Sequence, residues 1–380
     1  MAENPLKILY TASTTGHLRS FHLPYLRALS EAGHRVTAAG AGSGEGLPEG
    51  VSHLPVPFTK SFFSADNFRA SRLLARSIRS ERYDLVLTHT SLAAFFTRLG
   101  VMLAGKRDTR VVNTVHGYLF DEASPRLRRT VLLWAEKLTA GVTDDILTMN
   151  EADARIARTY HLCRGSVIPI HGMGVPAEEL APAGEAEKAA ARAELGLPSD
   201  AFVLLYAAEF SPRKNQSFLL DVLPLLPENV ILMLPGQGEK REECMAKAET
   251  MGLGQRVRFP GFVSSTLPLL RAADICVSSS RSEGLPFHVM EAMFCGLPAV
   301  LTRVKGHEDL LPTEAMGRLY PFGDVTAAAD AIRYYAQNRE ECTKAGEKAR
   351  EFVQKYALDR VQPEVLCGYF GQKNTPLPGR

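Results

Sequence analysis

The stretch Asp274-Ile-Cys-Val-Ser-Ser-Ser-Arg-Ser-Glu-Gly-Leu-Pro-Phe-His-Val-Met-Glu-Ala-Met-Phe-Cys-Gly-Leu-Pro-Ala-Val-Leu301 decides the fold. A short apolar run at Asp274–Val277 reads as a strand buried on both faces. Pro286 sits where the first turn of a helix begins, a place where its missing N–H does no harm. The helix runs to Cys295-Gly296, and a second apolar run follows at Ala299–Leu301. Strand, helix and strand in so few residues make a βαβ unit, and hence a parallel sheet.

The same alternation extends in both directions. Upstream strands are expected at Phe202–Ala207, Val230–Leu234 and Arg256–Phe259. The first half repeats it with strands at Leu6–Ala12, Arg35–Ala39, Asp84–Thr88, Arg110–Val115, Asp145–Met149 and Val167–Ile170. Amphipathic helices fill the gaps at Leu18–Ala32, Asn67–Glu81, Ser91–Ala104, Arg126–Thr139 and Glu151–Tyr160. Two such series predict an α/β protein of two doubly wound, Rossmann-like domains. The boundaries are expected at residues 1–175 and 176–356, with a last helix near 357–372 returning to the first domain. Open parallel sheets bind ligands beyond the carboxyl ends of their strands, which places the expected active site in the cleft between the two domains.

Composition narrows the class. The chain has 380 residues, 45% hydrophobic and 23% charged, which excludes a disordered or collagen-like chain. Its longest apolar runs, such as Ala201–Ala208, fall far short of the roughly 20 residues that span a bilayer. Met1–Leu6 has no basic segment leading into an apolar core, so no secretory signal is read and a cytoplasmic location is expected. Six scattered cysteines form neither a zinc motif nor a disulfide framework and are read as reduced. Residues 1–175 carry a net charge of +6 and the remainder −4. A basic first half suits an anionic partner, a phosphorylated substrate or a membrane surface; nothing points to nucleic acid.

Several motifs bear on chemistry. Gly40-Ala-Gly-Ser-Gly-Glu-Gly fits no dinucleotide register and runs into Leu47-Pro-Glu-Gly rather than a helix, so it reads as a loop. There is no Walker A sequence, no His-Glu-x-x-His and no Asp-x-Asp, so neither a metal nor a cofactor is expected. Gly284 permits close backbone approach, and the dipole end at Gly284, Leu285, Pro286 and Phe287 favours an anion. Glu283 and Glu291 bracket it, and carboxylates accept hydrogen bonds from vicinal sugar hydroxyls. Arg213 and Lys214 follow the strand Phe202–Ala207, with a helix expected to start at Ser211 or Pro212. They form a cation pair able to neutralise a diphosphate. Thr114-Val-His116-Gly ends a first-half strand, and Gly16 follows the first strand.

These motifs resemble the carboxyl-terminal signature of the retaining GT-B glycosyltransferases of family four. The parts are Val257-Arg-Phe-Pro-Gly-Phe-Val, Leu269-Leu-Arg-Ala-Ala-Asp-Ile, Ser282-Glu-Gly-Leu-Pro and Met290-Glu-Ala-Met. Lys7-Ile-Leu-Tyr, Phe21-His-Leu-Pro-Tyr-Leu and Val112-Asn-Thr-Val-His-Gly are similar to a branch acting in bacterial exopolysaccharide and capsule assembly. The resemblance implies that Glu291 binds the ribose of a nucleotide and that Glu283 contacts the donor sugar. Arg213 and Lys214 would hold the diphosphate, helped by amides at Gly16 and Leu285–Phe287. His116 would approach the reacting carbon, and backbone at Phe262 and Val263 would line the base pocket. The implied reaction moves a sugar from a UDP-sugar to a glycan acceptor, expected to be lipid-linked. The departing diphosphate itself would take the acceptor's proton. A sugar-nucleotide epimerase and a non-catalytic nucleotide-sugar-binding partner are the alternatives. The chain departs from the pattern at Glu209 and Glu308, where many relatives carry arginine.

Two further expectations concern surfaces. Lys214 reads as a surface lysine whose loss would leave stability unchanged. Arg69, Arg72, Arg76 and Arg79 recur on one helical face beside Leu73, Leu74, Ile78 and Phe62-Phe63. That face is expected to hold the protein at the inner side of the plasma membrane, each basic residue contributing about 1 kcal/mol.

Overall fold

The computed structural model describes residues 5–105, 108–120 and 124–371. It divides into two compact units, one of residues up to Gly174 together with those from Asp359 on, the other Val175–Leu358.

The first unit holds a parallel sheet of strands β1 Lys7–Thr14, β2 Arg35–Ala41, β3 Val51–Pro55, β4 Leu85–His89, β5 Arg110–Val115, β6 Asp145–Thr148 and β7 Val167–Pro169. Their spatial order is β3-β2-β1-β4-β5-β6-β7. The second unit holds β8 Phe202–Leu205, β9 Val230–Pro235, β10 Val257–Gly261, β11 Ile275–Ser278, β12 Ala299–Thr302 and β13 Gly317–Tyr320, in the order β10-β9-β8-β11-β12-β13. Every pairing is parallel. In each sheet the winding reverses once, between β1 and β4 and between β8 and β11. At such a switch point the following loops diverge and leave a crevice. The Rossmann-like architecture of two doubly wound units is as the alternation of strands and helices predicts.

One device sets strand starts in both units. An aspartate just before or at the start of a strand accepts a backbone N–H from a neighbouring segment. Asp84 takes Lys7 N at 2.7 Å, Asp144 takes Val111 N at 2.8 Å, and Asp145 takes Ser166 N at 2.7 Å. Asp274, the aspartate of Leu-Leu-Arg-Ala-Ala-Asp-Ile, takes Val203 N at 2.7 Å and is surrounded by Lys188, Arg192 and Arg339. Each bond satisfies an otherwise unpaired donor at a strand end.

The structure differs from the expected elements in several places. The helix expected over Leu18–Ala32 is two helices, Thr15–Phe21 and Leu23–Glu31, broken at His22 (φ −124°, ψ −2°). Pro24 is the cause, because it has no N–H to bond the carbonyl four residues back and its ring clashes there, so it is tolerated only in a helix's first turn. Gly40 and Ala41 belong to β2, and the loop begins after them. The strands β3 and β13 have weak patterns, β3 being exposed or half-buried throughout, and lie outside the expected set.

The helix Leu358–Phe370 belongs to the first unit. Tyr369 carbonyl accepts from Arg110 Nε at 3.1 Å, and Gln362 donates to Pro24 carbonyl at 2.9 Å. At Gly368 a Cβ would meet Leu147 Cδ2 at 2.9 Å, so a larger residue there would push the buried Leu147 side chain aside.

A buried ion pair ties helix Ser91–Ala104 to helix Arg126–Ala140. Arg98 is fully buried and its Nη2 lies 2.8 Å from Glu136 Oε2. Glu136→Ala would strand a buried guanidinium, so a loss of about 3–5 kcal/mol is expected in chemical denaturation. A loss under about 1 kcal/mol would mean that Arg98 reaches water.

Candidate active site

In the second unit, the loops after β8 and β11 lie against each other at the switch point. Arg281 N donates to Arg213 carbonyl at 2.8 Å, and Arg281 Nε to Pro212 carbonyl at 3.1 Å. Ser279 Oγ donates to the carbonyls of Lys214 and Asn215. Asn215 is left-handed (φ 55°), which asparagine tolerates better than most residues. The expected helix start at Ser211 or Pro212 is instead a turn, and the helix begins at Ser217. This turn presents Arg213 and Lys214 to Glu283.

Glu283 is only 6% exposed and is held from three sides. Lys214 Nζ is 2.6 Å from Oε1, Ser280 Oγ donates to Oε1 at 2.5 Å, and Arg213 Nη1 lies 2.8 Å from Oε2. Burial alone would push the Glu283 carboxyl up. Lys214 and Arg213 outweigh it and hold the group well below the usual carboxylate range. Burial lowers the Lys214 ammonium, and Glu283 opposes that shift. The cluster of two cations and one anion keeps a net charge of +1 next to a helix start.

The supporting groups are themselves fixed. Tyr206 hydroxyl donates to Lys214 carbonyl at 2.9 Å and is 2.7 Å from Ser280 Oγ. Thr302 Oγ1 donates to Ser280 carbonyl, and His307 Nδ1 donates to Thr302 carbonyl at 2.8 Å. That bond leaves the His307 Nε2 lone pair buried and unpartnered, as is His288 Nε2. Burial keeps both imidazoles neutral, with His307 lowered to about 4. Gly306 (φ 79°) admits this packing, since a Cβ there would lie 2.5 Å from Gly284 carbonyl.

Pro286 caps the helix Phe287–Phe294, and Glu291 lies on that helix. Glu291 Oε2 accepts from Thr266 at 3.2 Å, and burial raises its carboxyl. Leu285 and Pro286 are buried, while Gly284 and Phe287 are partly exposed. Phe262 is exposed and Val263 half-buried, just after β10. Glu308 pairs with Arg303 at 3.9 Å on the surface.

The first unit gathers different chemistry at its own switch point. His116 follows β5 and Gly16 lies exposed in helix Thr15–Phe21. His116 Nε2 is 3.1 Å from His89 Nδ1, at the end of β4. His17 and His22 complete a four-imidazole group, with ring centres of His17, His22 and His116 5.1–5.8 Å apart. Burial lowers His116 to about 3, with His17 adding to it, and lowers His17 to about 4. At neutral pH the group is uncharged. Thr90, between His89 and the next helix, has a positive φ (62°, ψ 133°), a strained conformation for a β-branched residue.

Sequence reasoning singled out His116, Glu283, Arg213, Lys214 and Glu291. It missed His17, His22, His89, His288 and His307, which come together only through the sheet. The Phe-His-Leu-Pro motif was the available signal: its proline breaks the helix and fixes His22. Reading Lys214 as a surface residue is corrected, because it is 8% exposed and paired.

Two family models match the chain, glycosyl transferases group 1 over residues 187–352 and glycosyltransferase family 4 over residues 25–172. A Bacillus subtilis (strain 168) protein provisionally named glycosyltransferase EpsD is 31% identical over 366 residues, 96% of each chain. An Escherichia coli UDP-Gal:alpha-D-GlcNAc-diphosphoundecaprenol alpha-1,3-galactosyltransferase is 27% identical over 268 residues, 68% of each chain. The crystal structure of Anabaena HepE with UDP and glucose aligns with a TM-score of 0.76 at 20% identity. It covers 95% of this chain and 98% of that one.

Lys214→Ala leaves Glu283 with Arg213 alone in a buried site. It is expected to destabilise the second unit by about 3–5 kcal/mol in denaturant melts. An unchanged midpoint would contradict the buried pairing.

Proposed function

Because the chain belongs to the glycosyltransferases of group 1 and family 4, we propose that it transfers a sugar from a UDP-sugar to a glycan acceptor with retention at the anomeric carbon. The observation that carries this reading is the buried Glu283 carboxylate gripping Arg213 and Lys214. Their excess positive charge suits the diphosphate of a nucleotide sugar without a metal at that position. In many transfer reactions, positioned cations that stabilise the leaving group's charge lower the barrier more than any other single effect.

Glu291, with Thr266, accepts from the ribose hydroxyls. Glu283 meets the donor sugar's hydroxyls with whatever lone pairs the cations leave. Backbone N–H groups at Gly16 and at Gly284, Leu285 and Phe287 add donors to the phosphates, Pro286 having none to give, and backbone at Phe262 and Val263 lines the base. His288 and His307 offer neutral acceptor nitrogens beside Glu283. His116 supplies a neutral imidazole to the donor sugar. The acceptor hydroxyl attacks the anomeric carbon on the face the diphosphate leaves. The carbon–oxygen bond to the β-phosphate breaks, its electrons stay on UDP, and the acceptor proton passes to a departing phosphate oxygen. The protein's part is then positioning and charge stabilisation.

The acceptor is proposed to be lipid-linked, and the first unit to bind an anionic membrane face. No described helix is long and apolar enough to cross a membrane. Arg69, Arg72, Arg76 and Arg79 are exposed along helix Ala65–Glu81, as the spacing predicts. Arg69 pairs with Asp66, however, and Arg79 donates to the Leu103 and Ala104 carbonyls, so Arg72 and Arg76 are the better candidates for phosphate contact. Leu74 and Ile78 are core residues and Phe62 stacks on Phe95, so of the expected apolar anchors Phe63 is the exposed one. A second anchor is helix Arg126–Ala140, where Leu127, Val131, Trp134 and Leu138 form an exposed apolar stripe beside Arg126 and Arg128. Such a helix lies in a membrane interface, its apolar side towards the acyl boundary.

Acceptor-dependent release of UDP from a panel of UDP-sugars, with the product anomer read by NMR, tests the reaction. Transfer with inversion, or hydrolysis indifferent to acceptor, contradicts it. Trp134 is the chain's single tryptophan, so its emission reports the membrane step directly. Anionic vesicles should shift it to the blue, and salt or Arg72→Glu/Arg76→Glu should weaken the effect. No shift at low salt contradicts membrane docking.

A further inference from the structure

The imidazoles at the first unit's switch point are arranged as ligands. His17, His22 and His116 each bring a ring nitrogen to within 4.8 Å of the other two. With Zn–N bonds of about 2.0–2.1 Å, a tetrahedral ion holds its imidazole ring centres about 5.2 Å apart. The observed centre-to-centre distances are 5.1 Å (His17–His22), 5.4 Å (His22–His116) and 5.8 Å (His17–His116). The ring planes are inclined by 48°, 71° and 76°, so the rings do not stack on one another.

The hydrogen bonds agree with ligation. His22 Nδ1 is 2.8 Å from Tyr10 hydroxyl, which leaves Nε2 as its remaining nitrogen. His22 is fully buried, and that Nε2 has no partner. His17 Nε2 is likewise buried without a partner. His116 Nε2 lies 3.1 Å from His89 Nδ1, and His89 Nε2 lies 3.3 Å from Tyr369 hydroxyl; in the tautomer that ligation requires, His116 Nε2–H donates to His89 Nδ1 and His89 Nε2–H to Tyr369. His116 Nδ1 is then the nitrogen left for an ion. His22 and His116 each have the second nitrogen held from behind, as ligands of a metal site do, and His17 packs against Phe21 with ring centres 4.9 Å apart. His17 and His116 are partly exposed and give an ion its way in.

We propose that this chain binds one borderline, nitrogen-preferring divalent ion, Zn²⁺ or its neighbours in the first transition row, at His17, His22 and His116. Among the described residues the set is three imidazoles with no carboxylate, a donor set that suits nitrogen-preferring ions and not magnesium or calcium, which demand oxygen. Resting on the transferase reading, the ion has a consequence: it engages His116, the imidazole assigned to the donor sugar, and so inhibits transfer. It has no part in diphosphate departure.

Calorimetric titration of chelator-stripped full-length protein with Zn²⁺, without any donor, tests the site. Co²⁺ serves as the absorbing substitute. One ion per chain is expected, with the intense visible absorption of a four-coordinate Co²⁺ centre. His17→Ala, at a partly exposed position, should weaken binding by more than about 100-fold, since losses behind the ligands alone cost about 10–100-fold. Tyr10→Phe removes the bond to His22 while keeping the ring, and should weaken binding within about that 10–100-fold range. His171→Ala, an exposed histidine bonded to Glu364 in the same unit, should change nothing. No binding at millimolar Zn²⁺, equal binding by His17→Ala, or displacement by equimolar Mg²⁺ would overturn the site. Zn²⁺ should also suppress acceptor-dependent UDP release until a chelator is added. Binding without suppression overturns the inhibition and the His116 assignment while leaving the site intact. Absent binding in an active enzyme overturns the site and leaves the transferase reading intact.

Discussion

A carboxylate taken out of water must find cations or lose its charge. Glu283 keeps its charge because Arg213 and Lys214 meet it, and much of the second unit's loop structure serves that meeting. The turn Ser211–Asn215 replaces a helix start and delivers both cations from one strand end. Asn215 takes a left-handed conformation so that Ser279 can bond the carbonyls of Lys214 and Asn215. Tyr206, Ser280, Thr302 and His307 then form a chain of hydrogen bonds behind the carboxylate. On the proposed reading, a cationic site built this way is already assembled for a diphosphate, which is what preorganised electrostatic catalysis requires.

The two units use one topology for opposite chemistry. Both sheets reverse their winding beside the first strand of the series, and both gather polar groups at the carboxyl ends of strands near that reversal. In the second unit those groups carry charge. In the first they are four neutral imidazoles, His22 and His89 fully buried and His17 and His116 partly so, backed by Tyr10 and Tyr369. Packing alone would favour apolar side chains there, and two ring nitrogens without partners cost stability. Groups retained at such a cost are the ones for which a ligand is to be sought.

The sequence made the sheets legible because parallel strands buried on both faces read as continuous apolar runs, as at Phe202–Leu205 and Ile275–Val277. Strand β3 escaped because an edge strand with polar and half-buried positions has no such run. The helix break at His22 was encoded by Pro24, but a helical periodicity continues across it and conceals the boundary. Glu283, Glu291, Arg213, Lys214 and His116 stood out because their motifs are local. The burial of Lys214 was not legible, since its partner is 69 residues away. The histidine group assembles from a helix, a helix break, a strand end and a loop, and only the strand order brings these together.

The central claim is that Arg213 and Lys214, held by Glu283, grip a diphosphate without a metal. Calorimetry of UDP and UMP binding in the presence of a chelator, to wild type and to Arg213→Ala, tests it most directly. Arg213 is half exposed, so its loss leaves the fold intact and isolates the effect on binding. Wild type should prefer UDP over UMP, and Arg213→Ala should lose about 10- to 150-fold of UDP affinity, the range of one charged hydrogen bond, with UMP little changed. Equal UDP affinity in the two proteins, or UDP binding that requires a divalent ion, would contradict the claim.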